Sequence, residues 1–108
     1  MKSMYLYIFT GREEFNEDIA KRLQKTLEEF NLEVTEDPSL AELVITTPEY
    51  CRIFHGVPIL VLTDSIDSFL EVENAIEWTP IPITDDDFLR LEFRLIGVTD
   101  TIRYGHDV

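Results

Sequence analysis

Residues 58–63 read Pro-Ile-Leu-Val-Leu-Thr and residues 43–47 read Leu-Val-Ile-Thr-Thr, two short runs without a charged side chain. A strand that is apolar on both of its faces belongs to a sheet that is covered on both sides. Such sheets are built from parallel strands joined by crossover connections that carry helices. These two runs therefore predict an α/β protein with a parallel sheet.

The remaining elements alternate as this architecture requires. Residues 4–10 are rich in aromatic and β-branched side chains and predict a strand, and residues 13–30 repeat apolar side chains at helical spacing. Residues 32–35 and 75–79 predict two more strands, whereas 48–54 and 67–75 predict short helices. We expect a small single-domain parallel-sheet sandwich of the flavodoxin type, with about five strands, short crossovers and the first strand placed centrally.

The end of the chain carries a helix start signal. Thr84 followed by three aspartates is typical of an N-cap and an acidic first turn. Residues 85–96 also alternate as a strand would, but the capping chemistry favours a helix. Gly97 suits the residue after a helix. We therefore expect the α/β domain to span residues 1–97 and a polar tail, which could hold a strand at 101–104, to occupy residues 98–108.

The charge is concentrated in the middle of the chain. The net charge is −13, and residues 26–89 hold fifteen acidic side chains against one basic side chain, that of Arg52. Such a body repels phosphate backbones, so direct nucleic-acid binding is not expected, and it attracts basic protein surfaces. Acidic side chains also keep small proteins apart in solution, which is the simpler interpretation.

The single cysteine, Cys51, excludes an internal disulfide and a cysteine zinc site. A lone thiol suits a reducing cytoplasm, and no apolar run approaches the roughly 18 residues that a membrane helix needs. We expect a cytoplasmic protein that does not enter the membrane. The sequence also predicts no cofactor and no metal ligands.

The chain resembles a response-regulator receiver domain. The resemblance covers residues 5–30, similar to the family's first strand and helix, and residues 57–63, similar to its fourth strand, which ends in Thr or Ser. Residues 75–96 are similar to its last strand, proline turn and final helix. The resemblance implies a flavodoxin-like fold and a role in signalling.

The positions that receivers use for phosphorylation carry other residues here. Thr10 and Gly11 stand where receivers hold an acidic pair for magnesium, and Thr46 and Thr47 stand where the phosphorylated Asp belongs. Thr79 replaces the Lys before the proline turn. The resemblance therefore implies a degenerate receiver, a pseudo-receiver that is not phosphorylated and that acts by protein binding.

Two other folds stay open. Residues 7–14 and the helix after them also resemble the opening of a TIR domain, which would make Glu49 a candidate catalytic acid. Residues 56–58 followed by an apolar strand resemble thioredoxin-like proteins, although no Cys-x-x-Cys motif is present.

Trp78 lies beside a rigid proline turn and is the strongest candidate for an anchor that binds a partner, since Trp is enriched at binding hot spots. In receivers, the surface that includes the fifth strand is the common partner surface. We predict a partner surface there, with Trp78 capping the core as the alternative. Its predicted members are Trp78, Pro80, Ile81, Asp85, Asp86 and Asp87.

Three functions follow from these observations. We favour a non-enzymatic regulatory module that docks an acidic surface on a basic protein partner. The alternatives are an acidic inhibitor that mimics nucleic acid and blocks a DNA- or RNA-binding protein, and a TIR-like enzyme that acts on a nucleotide. No catalytic constellation stands out in the sequence.

Overall fold

Five parallel strands form one sheet in the structure, a computed structural model that describes residues 2–105. They are β1 (Met4–Phe9), β2 (Leu32–Val34), β3 (Leu43–Thr46), β4 (Ile59–Leu62) and β5 (Ala75–Thr79). Their order across the sheet is β2-β1-β3-β4-β5, and each neighbouring pair is parallel. This is the flavodoxin-like order, in which β3 is the central strand and β1, predicted at the centre, lies next to it. The predicted α/β fold with about five parallel strands is confirmed.

Within the described residues, three α-helices and two 3₁₀ segments connect these strands, and a fourth α-helix follows the last strand. The helices are α1 (Glu13–Arg22), α2 (Gln24–Glu29), α3 (Ile66–Leu70) and α4 (Asp85–Tyr104), and the 3₁₀ segments are Pro38–Leu40 and Pro48–Ile53. The helix predicted over residues 13–30 is divided, because Leu23 adopts a φ of −90° and a ψ of 0° between α1 and α2. Within residues 2–105, no helix combines the length and the apolar character needed to cross a membrane.

The central strands bury every side chain that they carry. All four residues of β3 and all four of β4 are buried, and the register sets Val44 beside Ile59. Successive side chains of a strand point to opposite faces of the sheet. Both faces of this sheet must therefore be covered.

One face, which we call the helical face, is covered by α1, α2 and α4. These helices bury Ile19, Leu27 and Leu95 against strand residues such as Leu6 and Leu60, in one continuous apolar cluster. Burying a side chain of this size stabilises the folded state by about 1.5–3 kcal/mol. The helical face is the thick half of the molecule.

The opposite face, which we call the thin face, has a much lighter cover. The 3₁₀ segment Pro48–Ile53 and the five-residue α3 lie over it, and its buried cluster is small. Half-buried aromatic side chains, among them Tyr7 and Phe9, pack at the margin of this cluster. The thin cover follows from the short connections on either side of β3.

The end of the chain corrects the sequence prediction. The helix that begins at Asp85 does not stop at Gly97 but runs to Tyr104, so a polar tail over residues 98–104 and a strand at 101–104 were wrong. The inner apolar row of α4 continues past Gly97 with the buried Val98. A side chain at Gly97 would contact nothing in the described part of the chain. Residues 106–108 lie outside the described residues.

The last turn of α4 is also fastened to the rest of the domain. Arg103 donates hydrogen bonds to the carbonyl oxygens of Phe30 and Asn31, just beyond α2. A basic side chain there satisfies carbonyl groups that a helix end leaves without an intrahelical partner. The α/β domain therefore extends at least to Tyr104.

The first turn of α4 is closed by a capping box, as the sequence predicted. The Thr84 hydroxyl accepts a hydrogen bond from the Asp87 amide at 3.2 Å. The Asp87 carboxylate accepts hydrogen bonds from the amides of Thr84 and Ile83, both at 3.0 Å. These bonds, first from Thr84 and then from Ile83, lower the pKa of Asp87. A lowered pKa means that the ionised carboxylate stabilises the folded state.

We expect Asp87→Asn to lower the urea midpoint at pH 7 and to have a smaller effect near pH 2.5. The stabilisation exists above the unfolded-state pKa, at about pH 4, and is lost as the pH falls through the lower folded-state pKa. Asp86→Asn is the matched control, because Asp86 is exposed in the same turn and takes no part in the capping box. Equal effects of the two variants at both pH values would contradict this role.

Candidate functional site at the carboxyl edge of the sheet

The carboxyl edge of the sheet is the usual position of a ligand-binding site in this class of fold. In open parallel sheets, ligands bind outside the carboxyl ends of the strands, where the strand order reverses. The chain passes from β1 to β2 on one side and then returns to β3 on the other. The reversal therefore lies between β1 and β3, next to Thr10, Gly11 and Thr47.

Buried threonines form this edge. Thr10 follows β1, Thr46 and Thr47 end or follow β3, Thr63 follows β4 and Thr79 ends β5, and each is at most 8% exposed. Thr63 matches the Thr or Ser of the receiver resemblance, whereas the other four threonines are neutral side chains at or beside positions where that resemblance required carboxylates or a lysine. These five positions therefore carry no charge.

Three of the threonine hydroxyls bond to the protein itself. The Thr10 hydroxyl donates to Oδ1 of Asn16 at 2.6 Å, and the Thr46 hydroxyl donates to the Phe9 carbonyl oxygen at 2.6 Å. The Thr63 hydroxyl accepts from the Ser65 amide at 3.1 Å. These contacts tie each strand end to its neighbour or to the following turn. They give the edge a structural role.

An aromatic ring fills the crevice between β1 and β3. Tyr50, on the 3₁₀ segment Pro48–Ile53, meets Phe9 edge-on with 4.9 Å between the ring centroids. A Cβ atom at Gly11 would lie 2.8 Å from the Cε2 and Cζ atoms of Tyr50, closer than real contacts allow. Gly11 also has a φ of +82°, a conformation that favours glycine. The chain therefore closes its own switch point.

We expect Gly11→Ala to lower the free energy of unfolding by about 1–3 kcal/mol more than Gly56→Ala. Gly56 is the matched control, because its φ of +70° imposes a similar backbone strain while its new Cβ would contact nothing within 4 Å. The measurement is urea unfolding followed by the fluorescence of Trp78. The extra cost should shrink in a Tyr50→Ala background, and an unchanged difference there would contradict the clash with Tyr50.

The two reactive side chains of the Pro48–Ile53 segment have different surroundings. Glu49, the acid of the TIR-like alternative, is exposed. Cys51 is 3% exposed, and its thiol donates to the Thr47 carbonyl oxygen at 3.4 Å. Burial raises the pKa of Cys51 to about 11. A nucleophilic cysteine needs a lowered pKa, so this thiol is a packing residue.

We expect the thiol of Cys51 to react with a disulfide reagent at pH 8 about 100-fold more slowly in the folded protein than in urea, because less thiolate is present. The chain has one cysteine, so the absorbance of the released product reports on this thiol alone. Cys51→Ser gives the background rate. Equal rates in the folded and unfolded protein would mean that the thiol is accessible and activated.

Within residues 2–105, no three side chains of the His, Cys, Asp and Glu types come together in a way that could hold a metal ion. The acidic side chains that follow the strands point outward instead. Asp64 is exposed after β4, and its carboxylate accepts a hydrogen bond from the Ile81 amide at 3.3 Å. Its contact organises the proline turn after β5.

The apolar residues of the predicted partner surface lie on opposite faces of the sheet. Trp78 is half-buried and packs against the apolar cluster of the thin face. Ile81 is half-buried and packs against the cluster of the helical face, and Pro80 lies half-buried between them in the chain. Tertiary structure therefore separates Trp78 from Ile81.

The three aspartates of this prediction belong to the first turn of α4. Asp85 is 98% exposed and forms an ion pair with Arg22 at 3.1 Å, whereas Asp87 is held in the capping box. Asp86 is exposed. Two of the three carboxylates thus have structural partners, and the partner-binding role of all three stays a prediction.

Two surface features were missed in the sequence. A groove of about 570 Å³ opens on the thin face, lined by Tyr7, Phe9, Ala41, Ile53, Phe54 and Val57 among others. The short connection between β2 and β3 was the signal for it. On α4, Leu89 and Phe93 are 49% and 67% exposed, and the second apolar row of that helix was the signal.

Comparison with known proteins gives no family for this chain. No protein-family model matches the sequence, and no curated protein matches it significantly. The fold and the surface features above are therefore the basis for a functional proposal.

Proposed function

We propose that this protein is a non-enzymatic regulatory module that docks an acidic surface on a basic protein partner. The observation that carries the proposal is the state of the acidic side chains in residues 26–89. All of them are exposed except those of Glu77 and Asp87, which are half-buried. The surface of this region is therefore strongly negative.

Few of these carboxylates are neutralised by the protein itself. Within residues 2–105, ion pairs engage those of Glu77, Asp85 and Asp87, through Arg94, Arg22 and Arg90. The pairs are on the surface, where each contributes about 0–1 kcal/mol. The remaining carboxylates in residues 26–89 are available to a basic partner.

The distribution of charge supports a partner more than a general solubility effect. Residues 90–108 hold three basic and three acidic side chains, so the excess of acid is confined to one part of the chain. A concentrated patch of one sign accelerates association with a surface of the opposite sign and selects against wrong partners. Solubility would be served equally well by an even distribution.

The carboxyl edge is consistent with a role in binding rather than in catalysis. Three of its five threonine hydroxyls, those of Thr10, Thr46 and Thr63, bond to neighbouring parts of the chain. Tyr50 fills the switch point and Cys51 is a packed thiol. The proposal includes the degenerate receiver identity and a cytoplasmic location, for which the sequence resemblance and the lone cysteine are the support.

The test is a pull-down from nuclease-treated lysate of the source organism, with salt-gradient elution and mass spectrometry. Two variants carry the same change in charge: Glu33, Glu36 and Glu42→Gln in the acidic region, and Glu13, Glu14 and Glu17→Gln in α1. We expect a captured basic protein to elute from the first variant at lower salt than from the wild type, because three attractive charges are lost. Elution from the second variant should change much less.

Two results would overturn the proposal. Equal shifts for the two variants would mean that the capture depends on total charge alone. Displacement of the captured protein by added DNA would favour the acidic inhibitor that mimics nucleic acid. Circular dichroism of both variants checks that the fold is retained.

A further inference from the structure

We propose that the groove on the thin face binds a basic amphipathic helix of the partner protein. The helix would lie over β1, where the connection between β2 and β3 supplies no α-helix of its own. This inference rests on the proposed function and specifies which surface is used and what it recognises.

The connection between β2 and β3 is short for a crossover between parallel strands. Parallel strands are normally joined by a dozen or more residues that include a helix packed on the sheet. Here residues 35–42 make the crossover, and their one regular element is the 3₁₀ turn Pro38–Leu40. Apolar side chains around the gap stay exposed: Tyr5 by 37%, Leu40 by 52% and Ile53 by 62%.

The walls of the groove include aromatic side chains that pack on one another. Tyr7 stacks on Phe9 with 6.0 Å between the ring centroids, and it meets Phe54 edge-on at 5.8 Å. Aromatic side chains held by each other give a large apolar contact area that loses little conformational entropy on binding. Ile53 forms another part of the lining. Such walls suit the apolar face of a helix.

Acidic side chains lie beside the groove. Residues 32–51 include five acidic side chains and no Lys or Arg. Glu33 pairs in register with Tyr5, so both point to the thin face, and the Glu42 carboxylate accepts from the Tyr5 amide at 3.2 Å. Asp37 is exposed in the turn beside them. His55 in the lining and the nearby exposed Arg52 are the opposing groups.

An acidic rim around an apolar groove is complementary to a helix with an apolar face and basic flanks. A strand of the partner that pairs with the edge of β2 is the other way to cover the exposed side chains near this groove. However, β2 spans the three residues Leu32–Val34, so it offers very few backbone groups for strand pairing. The groove therefore favours a helix over a strand.

The probe is a synthetic peptide of about 18 residues, or five helical turns, with Leu on one face and Lys on the other. Two controls have the same length: one replaces Leu by Ser and the other replaces Lys by Glu. We expect the Leu/Lys peptide to shift the NMR amide signals of residues 5–9, 38–41 and 53–57 in the ¹⁵N-labelled full chain. Neither control should do so.

The matched protein variants are Ile53→Ser and Ile83→Ser. Both side chains are exposed, Ile53 by 62% and Ile83 by 80%, so neither change disturbs the core. Of the two, Ile53 is the one that lines the groove. Losing this apolar contact should weaken the binding of the Leu/Lys peptide about tenfold in Ile53→Ser. The affinity of Ile83→Ser should equal that of the wild type.

Two results would overturn the proposal that this groove binds a basic helix. One is an equal response to the Ser-containing peptide, which would mean that attraction is general and electrostatic. The other is a shift pattern centred on α4 or on the edge of β2. Either result leaves the proposed function to be decided by the charge variants, because loss of capture in Glu33, Glu36 and Glu42→Gln does not depend on Ile53.

Discussion

The burial of β3 and β4 on both faces is the constraint on which the rest of the structure depends. Their eight positions have no contact with water, so each face of the sheet needs a cover. Truncating a buried Leu or Ile there to Ala would cost about 2–5 kcal/mol. Within residues 2–105, however, the two helices of ten residues or more, α1 and α4, both cover the helical face. The thin face has the shorter elements, and this difference makes the two faces unequal.

The same asymmetry separates the larger core of the protein from the surface that we propose for partner binding. On the helical face, α1, α2 and α4 form the larger core, and Arg103 fastens the last turn of α4 to the end of α2. On the thin face, a 3₁₀ segment and a five-residue helix leave aromatic side chains in a groove. Apolar surface that the chain leaves uncovered is where binding to a partner gains most. Some of the acidic residues lie beside this face: Glu36, Asp37 and Glu42 are in the connection between β2 and β3, and Glu49 is in the 3₁₀ segment Pro48–Ile53.

The carboxyl edge shows how little a fold says about chemistry. The strand order creates a switch point between β1 and β3, a place where related folds bind ligands. This chain puts five threonines at that edge, and the hydroxyls of Thr10, Thr46 and Thr63 bond to the chain itself. Tyr50 fills the crevice. The exposed carboxylates and the groove, on which the proposed function rests, lie instead on the outer surface.

The sequence by itself determined the strands, from their apolar runs, and the capping box of α4, from Thr84 and Asp87. It also determined the acidic region, from the count of charged residues. Each of these features depends on residues that are close together in the chain. The sequence did not determine the end of α4, since a favoured stop signal at Gly97 was overridden by the burial of Val98 against the sheet. The tertiary structure alone decided that Trp78 and Ile81 lie on opposite faces and that Tyr50 covers Gly11. It also decided that a crossover of eight residues leaves Tyr5, Tyr7 and Ile53 open at one corner. These relations depend on residues brought together from distant parts of the chain, which no local pattern encodes.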